Sequence, residues 1–145
     1  MKTTFKDCLA KRRIFHFEPA RHLVRLEIED AESDFHSAKE ELSKSGFKWA
    51  TIKGYYSIFH CARALLYSRG FREKGHYCLY LAIRELFVKE KRIDPSLVEE
   101  FKNCMILREE ADYRRVFSQK GAAATVKSAE RFLKTAKNIL KKYNS

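Results

Sequence analysis

The sequence FKWATIKGYYSIFHCARALLYSR, residues 47–69, decides the fold. Its apolar and aromatic side chains cover most of the circumference of a helix instead of one stripe, and such a helix must be surrounded by other elements. Gly70 follows and ends it. We therefore predict that this segment is the central helix of a bundle. Its apolar members are Trp49, Ile52, Tyr55, Tyr56, Ile58, Phe59, Cys61, Ala62, Leu65 and Leu66.

Amphipathic helices are predicted on both sides of the central segment. Upstream, between Pro19 and Gly46, apolar residues recur every three or four positions, which is the spacing of one helix face. Downstream, similar patterns predict helices over residues 77–91, from Pro95 onward and over residues 122–140. A capping box of Ser96 and Glu99 is an alternative start for the second of these. Residues 71–75 are interpreted as a short charged loop.

The predicted fold is all-α, an up-and-down antiparallel bundle of four to five helices. Short connections between consecutive helices favour antiparallel neighbours. The bundle domain is assigned to residues 18–145, and residues 1–17 are predicted to be a basic N-terminal arm or a short extra helix. A chain of 145 residues is long enough to bury the core of one such domain.

The chain is strongly basic, with 30 Lys and Arg against 19 Asp and Glu and a formal net charge of +11. This balance favours contact with RNA or an acidic partner, although a basic surface can also serve solubility alone. The basic first residues and the Lys-rich outer face of the last helix are the expected phosphate contacts. Neither a membrane-spanning apolar run nor a signal-peptide core is present, so we expect a cytoplasmic protein without membrane contact.

Several common enzyme motifs are missing from the sequence. It has no phosphate-cradling Gly-rich loop, no GxSxG and no HExxH, which argues against an ATPase, an α/β hydrolase or a metalloprotease. The four cysteines lack CxxC or Cys/His ligand spacing, so we predict reduced, mostly buried thiols and expect neither a metal nor another cofactor. They are Cys8, Cys61, Cys78 and Cys104.

Two charged residues interrupt an apolar stripe in the fourth predicted helix. Arg108 and Asp112 continue the spacing of Phe101 and Met105, so they point where the core or an interface is expected. Four residues apart, they can pair as an ion pair that anchors the bundle. Alternatively, the Arg holds an anion.

Other polar residues are also candidates for a binding site. Tyr56, His60 and Arg63 share one side of the central helix, and a His beside an Arg can serve acid–base or phosphate chemistry. A His in an aromatic-rich helix can equally be a core residue. Lys74 and His76 lie at the start of the third helix, where a phosphate could bind, and Arg115 follows the fourth.

Three segments together resemble the HEPN superfamily (higher eukaryotes and prokaryotes nucleotide-binding domain). They are YYSIFHCARALL at residues 55–66, GFREKGH at residues 70–76 and LREEADY at residues 107–113. The resemblance implies a helical bundle that commonly forms homodimers, and many members are metal-independent endoribonucleases that act as toxins or defence effectors. It also implies a minimal nucleotidyltransferase as the antitoxin partner.

The resemblance places the candidate catalytic site at Arg108, Asp112 and Tyr113. In active members, an Arg and a His about one helical turn later meet in a dimer cleft and promote attack of the ribose 2′-hydroxyl on the adjacent phosphate. Here Arg108 matches the Arg, but Asp112 and Tyr113 stand where the His is expected. An Asp cannot supply a cationic acid, and a Tyr with a pKa near 10 is a poor base at neutral pH.

Three hypotheses follow from the sequence. The first is a HEPN partner of a nucleotidyltransferase that binds a nucleotide or RNA at a dimer cleft. The second is a ribonuclease in which His60 or His76 replaces the missing His. The third is a helical adaptor whose inward charges only determine packing.

Overall fold

The computed structural model describes residues 2–143 and contains a helical bundle with one two-stranded ribbon. This confirms the predicted all-α, up-and-down bundle. The helices are α1 (Phe5–Ala10), α2 (Arg21–Ser43), α3 (Phe47–Ser68), α4 (His76–Ile83), α5 (Pro95–Tyr113) and α6 (Gln119–Ile139). The strands are β1 (Ile14–His16) and β2 (Phe71–Glu73). A π-helical turn (Arg84–Val88) follows α4, and a 3₁₀ turn (Lys141–Tyr143) follows α6.

Helix α3 is the central helix, as predicted. It packs against α2, α4, α5 and α6, and fourteen of its residues are buried. Gly54 permits the close approach of α6, because a Cβ at this position would lie 2.9 Å from Thr125 Cγ2. Among the expected apolar members, Tyr56 is half-buried and Trp49 is the exposed exception, with 48% of its surface exposed. The all-round apolar surface of α3 therefore forms the core of the bundle.

The helix boundaries follow capping chemistry. The Asp94 side chain accepts a hydrogen bond from the Ser96 N–H, and Pro95 occupies the first turn of α5, so Asp94 caps this helix in place of the alternative Ser96 box. Ser118 caps α6 through the Gly121 N–H. The third predicted helix is divided: α4 ends at Ile83 and continues only as the π-helical turn.

The predicted loop at residues 71–75 is partly wrong, because Phe71–Glu73 forms β2. This strand pairs antiparallel with β1, and Ile14, Phe15 and His16 lie opposite Glu73, Arg72 and Phe71. Ile14 and Glu73 are buried. A charged sequence forms a strand here because its partner comes from the N-terminal segment, far away in the chain. Whether residues 1–17 and 18–145 are separate units stays a prediction.

The prediction of four reduced cysteines is wrong for two of them. Cys8 of α1 and Cys78 of α4 form a disulfide with a Cα–Cα distance of 5.9 Å, whereas Cys61 and Cys104 are buried free thiols. Proximity between residues 70 positions apart could not be seen in local spacing. Within the described residues, no helix has the length and apolar character needed to cross a membrane.

Candidate functional site

Arg108 is a buried cation within a group of aromatic rings. Its place on the inward face of α5 leaves only 5% of its surface exposed. The Arg108 Cζ atom lies 5.2 Å from the Tyr55 ring centroid, 5.4 Å from that of Tyr56 and 5.7 Å from that of Tyr113. Such ring faces attract the guanidinium through their quadrupoles. The aromatic residues therefore replace part of the hydration that Arg108 loses on burial.

The hydrogen-bonding capacity of Arg108 is only partly used. Its Nη1 atom donates to the Tyr113 hydroxyl at 3.4 Å and lies 3.6 Å from Asp112 Oδ2, which is the intrahelical ion pair that the spacing permits. Its Nε atom is buried and has no hydrogen-bond partner among residues 2–143. A buried donor without a partner costs about 1–3 kcal/mol. An anion that reached Nε would remove this cost.

His76 stands at the start of α4 and is linked to Arg108 through Tyr55. Its Nδ1 atom lies 2.6 Å from the Tyr55 hydroxyl, and its ring stacks on Phe59 at a centroid distance of 4.6 Å. Burial lowers the pKa of His76, and the charge of Arg108 lowers it further. Burial also raises the pKa of Tyr55, so the phenol keeps its proton. His76 is therefore a neutral imidazole at neutral pH.

A cavity of about 500 Å³, here called the Arg108 cavity, adjoins these residues. Its volume is within the usual range of small-molecule sites. The first residues of α4 contribute to its wall, so a helix N-terminus, whose first backbone N–H groups have no partner within the helix, borders the cavity. Its lining residues are Thr3, Asp7, Cys8, Lys11, Arg13, Lys74, Gly75, His76, Tyr77, Cys78, Met105, Arg108 and Glu109.

His60 and Arg63 belong to a different, acidic cluster between α2, α3 and β2. His60 Nδ1 lies 2.6 Å from Glu27 Oε2, and Arg63 Nη2 donates to Glu73 Oε2 at 2.6 Å. Burial favours a lower pKa for His60, but the hydrogen bond and charge of Glu27 and the charge of Asp34 outweigh it and raise this pKa. Both basic side chains are therefore paired with carboxylates of the protein.

One group in this cluster has the spacing of a metal site. Glu27, Asp30 and His60 each offer a ligand atom, and the three atoms lie within 4.8 Å of one another. Arg63 Nη1, however, lies 3.6 Å from the Glu27 carboxylate, and His60 hydrogen-bonds to the same group. The Arg63 guanidinium and the hydrogen bond with His60 already engage the Glu27 carboxylate that a metal ion would need. We therefore assign no metal to this cluster.

The structure divides the site residues that the sequence singled out. Tyr56, Asp112 and Tyr113 contact or adjoin Arg108, and Lys74 and His76 line its cavity. His60 and Arg63 lie in the acidic cluster, and Arg115 is exposed in the turn after α5. Sequence reasoning missed Tyr55, because a Tyr among apolar residues of a central helix was assigned to the core.

The fold and this geometry define a class: a helical bundle with a buried Arg beside a cavity that lies between the N-terminal segment, the start of α4 and α5. The HEPN domain family matches the chain over residues 24–145. The chain therefore belongs to the HEPN domain family, which confirms the resemblance seen in its sequence.

Similar proteins come from archaea and bacteria. Two proteins of Methanocaldococcus jannaschii, MJ0142 and MJ0605, are named as candidate toxins. MJ0142 is 28% identical over 70% of this chain and 68% of its own length. MJ0605 is 29% identical over 83% of this chain and 91% of its own length. A UPF0332 protein of Archaeoglobus fulgidus is 30% identical over 82% of this chain and 96% of its own. The crystal structure of TT1696 from Thermus thermophilus has the same fold, with a TM-score of 0.66 at 20% identity, and covers 81% of this chain and 98% of its own.

Proposed function

We propose that this chain is a toxin-like HEPN protein that binds RNA or a nucleotide through a phosphate held by Arg108. The observation that carries the proposal is the buried Nε atom of Arg108, which lacks a hydrogen-bond partner among residues 2–143, beside a cavity of about 500 Å³. Guanidinium groups bind phosphate with paired, charge-assisted hydrogen bonds. The backbone N–H groups at the start of α4 add donors of the kind that phosphates meet at helix ends. A phosphate is therefore the ligand that this set of donors suits best.

The toxin-like role and its partners rest on the relatives. Two related chains carry names that describe candidate toxins, which supports a toxin–antitoxin context. An antitoxin of the nucleotidyltransferase class is the partner that the resemblance in the sequence implies. A homodimer is supported by exposed apolar residues on and after α5, one of which, Tyr113, contacts Arg108. They are Ile106, Tyr113, Val116 and Phe117, with 47%, 74%, 57% and 48% of their surfaces exposed. A dimer that buries them would bring two Arg108 cavities near one interface.

Binding of a labelled single-stranded RNA, measured by fluorescence anisotropy, tests the proposal. We expect Arg108→Lys and Arg108→Ala to weaken binding at least about tenfold, because Lys cannot reproduce the planar fork of the guanidinium. Arg92→Ala is the matched control, since it removes the same charge from an exposed position outside the Arg108 cavity. Equal affinities of the wild type and both Arg108 variants would contradict the proposal.

A second candidate function, metal-independent RNA cleavage, is favoured by His76. In the tautomer whose Nδ1 proton is directed to the Tyr55 oxygen, the Nε2 lone pair can take the proton of a ribose 2′-hydroxyl. The 2′-oxygen then forms a bond to the adjacent phosphorus, the bond to the 5′-oxygen breaks, and water protonates that oxygen. Arg108 stabilises the charge on the phosphorus oxygens. The low pKa of His76 keeps this base unprotonated at neutral pH.

Cleavage of RNA in the presence of a chelator distinguishes the two candidates. If His76 is the base, His76→Gln abolishes cleavage and leaves RNA affinity within about twofold, whereas His60→Gln preserves both. Tyr55→Phe leaves the His76 proton without its acceptor and should change the pH dependence of the rate. Activity that survives in His76→Gln would exclude this base. A wild type that binds RNA without cleaving it leaves only the binding function.

A further inference from the structure

We infer that the N-terminal segment of this chain carries a track for single-stranded RNA that leads into the Arg108 cavity. The track consists of residues 11–17 with Arg72 and Lys74, and residues 11–17 lie outside the part of the chain that matches the HEPN family, residues 24–145. The inference rests on the proposed function, since the Arg108 cavity is taken as the end of the track.

A second cavity provides the space for the track. It measures about 530 Å³ and is lined by Leu9, Arg12, Ile14, Phe15, His16 and Lys74. Lys74 also lines the Arg108 cavity, so the two depressions meet at this side chain. In this inference, a chain of nucleotides passes from one cavity to the other over the Lys74 side chain.

The charges along this path favour a polyanion. Five cationic side chains line the two cavities, against two carboxylates. One carboxylate, Asp7, is occupied by its helix cap, where it accepts a hydrogen bond from the Thr4 N–H at 2.8 Å. Glu109 is the other. The five cations are Lys11, Arg12, Arg13, Lys74 and Arg108.

Aromatic rings on the ribbon favour a single strand over a duplex. Phe15 lies in β1, and Phe17, which directly follows this strand, also packs its ring against Tyr67 at a centroid distance of 5.1 Å. Lys74 Nζ lies 5.4 Å from the Phe15 ring centroid, and Arg72 Cζ lies 5.3 Å from that of Phe17. Alternating rings and cations are the combination by which proteins bind single-stranded nucleic acid, because unpaired bases stack on the rings. Bases in a duplex are not free to do so.

The track is held in position before RNA binds. The Lys74 N–H donates to the Arg13 carbonyl at 2.7 Å, and the Arg13 N–H donates to the Cys8 carbonyl at 2.8 Å. The Cys8–Cys78 disulfide then joins the N-terminal segment to α4. Fixed cations lose less conformational entropy on binding than flexible ones. The basic N-terminal residues are thus an ordered surface beside the cavity.

Variants at Arg12 and Phe15, which line the second cavity alone, test the track. The probes are a single-stranded RNA of about ten nucleotides and its duplex, followed by anisotropy, and adenosine monophosphate, followed by calorimetry. We expect Phe15→Leu to weaken single-strand binding roughly 5- to 100-fold through lost stacking, and Phe15→Tyr to restore it. Arg12→Ala should reduce the slope of log affinity against log salt by about 0.7, the value for one single-strand phosphate contact. Arg92→Ala is the charge control.

Binding of the mononucleotide separates this inference from the proposed function. Both track variants should leave mononucleotide binding unchanged, and Arg108→Ala should weaken both probes. If Arg108→Ala weakens binding and the track variants do not, the track is rejected and the proposed function stands. If the track variants weaken RNA binding and Arg108→Ala has no effect, the proposed function fails, and so does the connection to its cavity. Equal affinity for duplex and single strand would also overturn the track.

Discussion

Arg108 lies where its helical spacing places it, but its surroundings determine what it can do. The intrahelical pair with Asp112 is long, at 3.6 Å, and the three tyrosines supply ring faces and one long hydrogen bond, to the Tyr113 hydroxyl at 3.4 Å. A residue retained only for packing would be expected to satisfy all its donors, because unpaired buried donors destabilise the fold. The unpaired Nε therefore supports the proposal that Arg108 holds a ligand.

The first prediction compares Arg108 with Phe101, an aromatic residue of the same helix. Phe101 is fully buried against Tyr55, Tyr80 and Phe132, so Phe101→Ala should lower the free energy of unfolding by about 3–5 kcal/mol. Arg108→Ala should cost less stability and should weaken RNA binding more. Thermal melts and anisotropy on both variants check this. If Arg108→Ala melts as early as Phe101→Ala and its folded fraction binds RNA normally, Arg108 is a structural residue.

The second prediction concerns His60 and pH. Glu27 and Asp34 raise the pKa of His60 in the folded protein, so protonation of His60 stabilises the fold. This stabilisation is complete below the ordinary His pKa of about 6.5 and is lost as the pH rises through the raised pKa. His60→Gln should therefore cost about 1–3 kcal/mol near pH 6 and progressively less toward pH 9. Urea unfolding across this range measures the difference. His22→Gln, in the exposed first turn of α2, controls for losing an imidazole, and a pH-independent cost for His60→Gln would contradict the assignment.

Among the elements, the long helices could be predicted from sequence and the ribbon could not. The all-round apolar composition of α3 and the stripe on α2 are local signals, so they predicted the central helix and its neighbour. The pairing of β1 with β2 and the Cys8–Cys78 bond depend on segments that meet only after folding. The same limit applies to the site: Arg108 and Tyr113 share a helix, whereas Glu27 and Glu73 reach His60 and Arg63 from other elements.

The third prediction concerns the disulfide that joins α1 to α4. Closing a loop between residues 70 positions apart restricts the unfolded chain, so Cys8→Ser should lower stability by about 2–4 kcal/mol. Reductant should reproduce the loss in the wild type and have no further effect on the variant. Melting curves with and without reductant provide the measurement. Cys61→Ser, at a buried free thiol, is the control, because its melting shift should not depend on reductant.

At the scale of the whole molecule, charge and exposed apolar surface lie close together. The second cavity shares Lys74 with the Arg108 cavity, and the exposed apolar residues occupy the C-terminal half of α5, which carries Arg108, and the turn after it. Ile106 and Tyr113 are two turns apart on one face of α5, so both can enter one contact. An apolar patch beside a charged cavity is a usual composition for an interface that borders a binding site.

The last prediction is that the chain is a dimer through this patch. The wild type should sediment at twice its mass of 17.1 kDa at micromolar concentration. Val116→Glu and Phe117→Glu would each bury a carboxylate in the interface, so each should raise the dissociation constant of the dimer at least about tenfold, or about 1.4 kcal/mol. Leu26→Glu is the matched control, because Leu26 is 47% exposed on α2, a different helix, and its substitution adds the same charge. Sedimentation equilibrium on the four proteins provides the masses. A monomeric wild type would exclude the dimer. If only Leu26→Glu dissociates, the interface lies on α2 and not at the end of α5.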